Sequence, residues 1–337
     1  MKIAIVGAGI VGSTAAYYLS KEKDVEVTVF DHGLGQATKA AAGIISPWFS
    51  KRRNKAWYRM ARLGADFYQD LVSDLENDGY DTSFYDQSGV ALLKKDDSKL
   101  DGLYQHAETR LEESPIIGEL SIKNAADLPE FTGFDRYLYA SGGARVEGAE
   151  LTATLIEASG FEKVEGLVTL SPLDNGTYEI NGQTFDKVIL SCGAWLGQTL
   201  EPLGFEVDVR PQKGQLRDYF FEGMDTGRLP VLMPEGELDV IPFAGGKISV
   251  GASHENDQGF DLTVDETVLA SLEEEAKTYF PDLSTAKSFS ERVGTRAYTS
   301  DFSPFFGEVP ELESVFVASG LGSSGLTTGP LIGKNLV

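Results

Sequence analysis

Cysteine, histidine and basic residues are all scarce in this chain, and each shortage removes a class of protein. A single cysteine, Cys192, in 337 residues rules out an internal disulfide framework. It also fits a reducing compartment, so a cytoplasmic location is expected. The three histidines, His32, His106 and His254, stand without metal-ligand spacing, so no metal site is expected and none is read as catalytic. Lys and Arg number 29 against 52 Asp and Glu, a formal net charge of -23. That excess repels phosphate backbones and anionic lipid, so neither nucleic acid nor a membrane surface is an expected partner. No apolar run approaches the roughly 18 residues of a membrane span. The sequence opens on "KIAIVGAG", with no apolar stretch followed by a small-residue cleavage site, so no leader is expected. Low-complexity tracts and internal repeats are also missing.

Apolar residues and glycine are what the chain does have: 42% hydrophobic residues and 37 glycines. The length suits one large domain or two intertwined ones. Residues 2–6, "KIAIV", read as a buried parallel strand. From Gly9 to about Ser20 the apolar residues are spaced for one helix face, and residues 25–30, "VEVTVF", form a second strand ending at Asp31. This is a βαβ opening. Residues 36–46 are small and read as a loop. A long helix is expected from about Lys51 to Glu76, strands at 84–94 and 137–140, a helix at 150–158 and a buried strand at 187–191. Antiparallel pieces follow, "QKGQLRDYFF", "LDVIPFA" and "GGKISVGAS", then a helix at 265–280 and a last strand at 315–320. Parallel-type pieces therefore occur early, in the middle and at the end. The expectation is a mixed α/β fold. Residues 1–80, 142–210 and 290–337 build a Rossmann-like nucleotide-binding domain, and 81–141 and 211–289 a mostly antiparallel substrate domain.

Gly7, Gly9 and Gly12 make G-x-G-x-x-G between a strand and a helix. The first glycine permits the tight turn, the second lets a pyrophosphate approach the backbone, and the third lets helix and strand pack closely. The helix N-terminus then faces the diphosphate. Asp31 ends the second strand, where a carboxylate accepts from both ribose hydroxyls and repels a 2′-phosphate. NADP is thereby disfavoured, and NAD and FAD both remain.

Three further segments resemble one family. "QATKAAAGIISPW" beyond Asp31 is similar to the flavin-facing loop of the D-amino-acid oxidase, glycine oxidase and sarcosine oxidase family. "KVILSCGAWLGQTL" at 187–200 is similar to its strand and turn ending in Gly-Ala-Trp. "VGTRAYTSDFSPFFGEVPELESVFVASGLGSSGLTTGP" at 293–330 resembles its C-terminal signature. The resemblance implies noncovalent FAD. It places Gly7, Gly9, Ile10, Val11 and Gly12 on the diphosphate and Asp31 on the adenosine ribose. Gln36, Thr38, Ala41, Ala42, Gly43 and Ile44 would line the diphosphate and ring, and Val168 the adenine edge. Cys192, Gly193 and Trp195 would lie beside the middle of the cofactor. Gly320, Leu321, Gly322, Ser323, Ser324, Gly325, Leu326 and Thr327 would wrap the flavin's pyrimidine end. Cys192 is read as a small buried hydrophobe, and Asp301, Pro304 and Gly307 as turn residues.

The same resemblance implies oxidation of the C–N bond of a small amino acid or N-substituted glycine, with hydride transfer to flavin N5 and hydrolysis of the imine. Arg296 matches the family arginine that grips the substrate carboxylate, a task suited to a guanidinium fork. Tyr298 is expected to share the pocket wall. Where the sarcosine-oxidase branch carries a flavin-facing lysine this chain has Ser249, with Lys247 two residues earlier on the same strand face. Oxygen and another electron acceptor both remain open. Rival readings are a larger amine such as a modified tRNA base, which the charge disfavours, a flavin-holding sensor, and an NAD-dependent dehydrogenase.

Overall fold

The computed structural model describes Met1–Val337. Two large sheets organise it. The first has six strands in the order Phe305–Glu308, Val315–Ser319, Lys187–Leu190, Lys2–Val6, Glu26–Asp31 and Glu162–Glu165. All neighbours run parallel except the edge pair Phe305–Glu308 and Val315–Ser319. The opening strand is apolar from Ile3 to Val6 because both its faces are covered there. Ile3 and Ile5 pack on one side with Ala15, Ala16 and Leu19 of the helix Ile10–Leu19. Ala4 and Val6 pack on the other with Phe30, Phe185 and Val188. On the helical side, Ile10–Leu19 meets Gly325–Asn335 at close range. A Cβ on Gly333 would come within 2.5 Å of the Val11 carbonyl oxygen.

The second sheet has eight strands in the order Ser288–Tyr298, Arg210–Phe220, Lys247–Gly251, Asp239–Phe243, Val231–Met233, Val90–Leu92, Arg136–Ala140 and Leu120–Asn124. Neighbours are antiparallel except Val231–Met233 beside Val90–Leu92. Its outer face packs Leu238, Val240, Ile248 and Val250 against Ala276 of the helix Glu266–Tyr279. Asp265 caps that helix by accepting from the Thr267 and Val268 N–H groups. Its inner face contributes Leu92, Leu138, Val231, Ile241 and Phe243 to the largest buried cluster, which also holds Ile10, Val11 and Leu326. One core thus spans both layers, and the site lies where they meet. No helix is long and apolar enough to cross a membrane.

The mixed fold matches the sequence expectation, and several details differ. Residues 84–94 form two short strands, Tyr85–Asp86 and Val90–Leu92, in different sheets. Gly89 turns the chain between them at φ +82°, where a Cβ would strike the Tyr139 ring. The long helix starts at Lys55, not near Lys51, because Asn54 caps it by accepting from the Trp57 N–H at 3.0 Å. Within 36–46 the chain forms one helical turn, Ala37–Ala40, and a short strand, Ile44–Ile45. Ser288–Tyr298 pairs with Arg210–Phe220 over its whole length, from Arg210 opposite Tyr298 to Phe220 opposite Ser288. We therefore propose that the last nucleotide-domain segment begins after Tyr298, not at 290.

Candidate active site

The fingerprint turn forms as the glycine spacing requires. Gly7 has φ +101°, and a Cβ there would sit 2.4 Å from the Ser191 carbonyl oxygen. A Cβ on Gly12 would meet the Gly7 carbonyl oxygen at 1.9 Å, so this glycine sets the strand-to-helix distance. A Cβ on Gly9 would meet only the Thr38 hydroxyl, at 3.4 Å, and otherwise faces open space. No side chain caps the helix at Gly9. The Ile10 N–H donates to the Thr38 hydroxyl at 3.1 Å. Asp31 is buried at the end of its strand and accepts from the N–H groups of Ala8 and Gly33, both at 2.5 Å, and from the Gln36 side-chain amide. Trp195 lies between His32 and Phe260, with ring centroids 5.0 and 4.9 Å away. The Ser319 hydroxyl donates to the Gly193 carbonyl at 2.8 Å and ties the Gly-Ala-Trp turn to the last strand. The Tyr68 hydroxyl donates to the Leu326 carbonyl at 2.7 Å and fixes the helix opened by the glycine-rich turn.

These pieces line one cavity of ≈ 680 Å³. Of the residues singled out from sequence, all but Gly12, Gly320 and Tyr298 are on its wall. Gly12 and Gly320 serve the turns behind it. A Cβ on Gly320 would strike Thr299. The expectation that Tyr298 shares the pocket wall is corrected: its ring packs under Gly322 and edge-on to Phe302, at 5.4 Å between centroids.

Arg296 reaches the cavity from the long edge strand. Its strand partner is Gln212, and its guanidinium lies over Gly214, where a Cβ would be 2.4 Å from Nη1. Nη1 donates to the Ser253 carbonyl at 2.8 Å and weakly to Gln212 Oε1 at 3.4 Å. Arg145, Arg217 and Arg292 each have an acidic partner, Asp86, Glu266 and Asp218 among them. Arg296 enters no ion pair. Burial pulls its pKa down from the usual arginine range, and Tyr298, Glu237 and Glu255 offset that only in part. Glu237, Asp239, His254, Phe49, Trp57 and Met233 complete this end.

Ser249 and Lys247 lie elsewhere. Ser249 is fully buried and donates to Asp218, which Arg292 also contacts at 2.8 Å. Lys247 pairs with Glu147. Arg292 donates onward to the Ala41 carbonyl at 2.9 Å, so this ion cluster clamps the loop 41–44 from behind. No lysine lines the cavity.

The family model described as FAD dependent oxidoreductase matches residues 2–337. The chain belongs to that family. Proteins similar to it include YurR of Bacillus subtilis strain 168, named only as an oxidoreductase, at 39% identity over 98% of this chain and 92% of that one. Glycine oxidase of Pseudomonas aeruginosa is 29% identical over 98% of this chain and 92% of its own. The crystal structure of iminodiacetate oxidase from Chelativorans sp. BNC1 superposes with a TM-score of 0.93 at 31% identity, covering 99% of this chain and 94% of that chain.

As an FAD-dependent oxidoreductase the chain has a cradle that fits its cofactor. The wall is bare backbone where a diphosphate and a planar ring need close approach: Gly9, Ala41, Ala42 and Gly43. Gly43 is pinned at φ +82° with a Cβ position 2.0 Å from the Val146 carbonyl oxygen, so no side chain could replace it. A helix N-terminus whose N-cap, Gly9, has no side chain suits the diphosphate, and a buried carboxylate the ribose. Glu237, Asp239 and His254 were not found from sequence, and His254 was set aside as non-catalytic. For Asp239 a signal existed. In "LDVIPF" Leu238 and Val240 face one core, Ile241 and Phe243 the other, so period two puts the aspartate on an otherwise apolar inner face.

Proposed function

We propose that this protein oxidises the C–N bond of a small amino acid or N-substituted glycine whose carboxylate is held by Arg296. The carrying observation is that Arg296 opens onto the cavity with no acidic partner in a chain of net charge -23. The names of two relatives, glycine oxidase and iminodiacetate oxidase, support the same substrate class. The cofactor residues proposed are those that line the cavity: the fingerprint turn, Asp31, the segment 36–44, Val168, the turn 192–195 and the segment 321–327. FAD supplies the two-electron acceptor for the substrate C–H bond. The chain supplies orientation, because a bidentate guanidinium fixes both the position and the plane of a carboxylate. Phe49, Trp57 and Met233 shield the reacting carbon from bulk water. The imine formed then hydrolyses. Noncovalent FAD is part of this reading: the one cysteine, Cys192, is partly buried with its thiol pushed up to about 11, which suits packing rather than a flavin link.

Each hydrogen bond to a charged group contributes about 1.5–3 kcal/mol. Arg296→Lys replaces a fork by a point charge and is expected to raise KM at least tenfold with FAD still bound. An unchanged KM removes Arg296 from the substrate site.

A further inference from the structure

Asp239 is the first residue of the strand Asp239–Phe243 and faces the cavity that Arg296 also enters. Its carboxylate makes no hydrogen bond and no ion pair, and desolvation alone pushes it up to about 8. Charged groups stand on every element around it. Glu235 and Glu237 lie on the turn before it, and Lys247 and His254 on the neighbouring strand and its loop. Arg52 comes from the segment before the long helix, and Arg296 from the edge strand. Lys247 is held by Glu147, and Glu235 by Lys94. None of these charges contributes to the shift at Asp239. His254 differs, for burial and then Arg296 itself lower its pKa, which places it in the field of the carboxylate-binding end. Asp239 and Arg296 line the same cavity, Asp239 from the strand Asp239–Phe243 and Arg296 from the edge strand Ser288–Tyr298.

We propose that Asp239 is the catalytic base of this site: its carboxylate takes a proton from the substrate's ammonium group while Arg296 holds the carboxylate. The inference rests on the amino acid reading of the cavity. One N–H bond breaks and its electron pair stays on nitrogen. Where Asp239 is already protonated it first gives that proton to solvent as the ammonium group arrives; the ammonium proton then forms an O–H bond on the ionised carboxylate, and no atom is oxidised. The step is needed because carbon gives up a hydride to form C=N only when nitrogen has a free pair. A base is most effective when its pKa lies near the working pH, and general-base assistance contributes about 10²–10⁴ in rate. An ordinary surface carboxylate near 4 would hold the proton too weakly.

Proton release on binding tests this without turnover. 2-Methylalanine carries both groups but no α-hydrogen, and 2,2-dimethylpropanoate is the same shape with a methyl in place of the ammonium. Calorimetry of the FAD-loaded protein at pH 7, in buffers of different ionisation enthalpy, counts protons for each. About nine-tenths of Asp239 is protonated at that pH, so 2-methylalanine is expected to release about 0.9 proton more than 2,2-dimethylpropanoate. The difference should vanish by pH 9.5 and in Asp239→Asn, which still binds 2,2-dimethylpropanoate with unchanged Kd. Equal proton counts for the two ligands in the wild type overturn the assignment and leave the amino acid reading intact. Failure of both ligands to bind overturns both. Should Asp239→Asn not retain FAD, the wild-type difference and its pH dependence decide.

Discussion

Asp239 lowers the stability of the fold that carries it. Its ordinary value near 4 applies in the unfolded chain, and about 8 in the folded one. Below pH 4 both states hold the proton and the residue is neutral to stability. Between pH 4 and 8 the folded state keeps a proton the unfolded state has lost, so stability falls as pH rises through that window. Above 8 the penalty is complete. Asp239→Asn is therefore expected to raise Tm over wild type by several degrees at pH 8.5 and hardly at all at pH 4.5, as thermal melts of the holoprotein can show. A gap that is constant with pH contradicts the desolvated, unpaired state of this carboxylate. Such a cost is retained where function needs the strained group. At this scale the sequence was only partly legible. Arg296 was reachable through the resemblance of "GTRAY". Tyr298, two residues along the same strand, was assigned to the wall and lies behind it, because its ring is taken up by Gly322 and Phe302. Asp239 was missed because "LDVIPFA" was read as a strand without sorting its faces, and which face borders the cleft shows only once the partner layers are known.

Among the elements, the fingerprint strand–turn–helix was the most legible. Gly7 and Gly12 have a local steric reason that the spacing already states, while the space at Gly9 is open. Two of them now separate the roles of folding and binding. Gly9→Ala adds a methyl that meets nothing in the protein closer than 3.4 Å, at a residue with ordinary φ of -71°. It is expected to fold with unchanged far-UV dichroism but to purify with little FAD. Gly12→Ala drives a methyl to within 1.9 Å of the Gly7 carbonyl oxygen and is expected to lower Tm as well as FAD content. A Gly9→Ala protein that keeps its full complement of FAD would remove the diphosphate from this turn. Elements read less well where local pattern was overridden. The helix Ser98–Glu108 and the strands Leu120–Asn124 and Glu162–Glu165 were not expected. They are short or polar, and Glu162–Glu165 finds its place only by pairing with Thr28–Asp31 more than 130 residues earlier.

Taken whole, the molecule is two sheets whose shared core leaves one cleft open between them. On the proposed function, the six-stranded sheet would present backbone and helix ends to the cofactor, and the eight-stranded sheet side chains to the substrate. The Asp218–Arg292 pair joins them by holding the Ala41 carbonyl, a long-range contact that no local pattern announces. The separation into interleaved layers was legible from the order of parallel-type and antiparallel-type segments. The sheet membership of Ser288–Tyr298 was not, because strand partners 68 to 88 residues apart leave no mark in either segment alone. The measurement that bears most directly on the whole is anaerobic. The purified protein is mixed with glycine, sarcosine, iminodiacetate and D- and L-amino acids, and with methylamine as a counterpart lacking the carboxylate. The flavin's visible absorbance is followed throughout. A yellow protein bleached by at least one carboxylate-bearing amine and left unchanged by methylamine is the expected result. A protein without flavin colour, or one bleached as readily by methylamine, contradicts it.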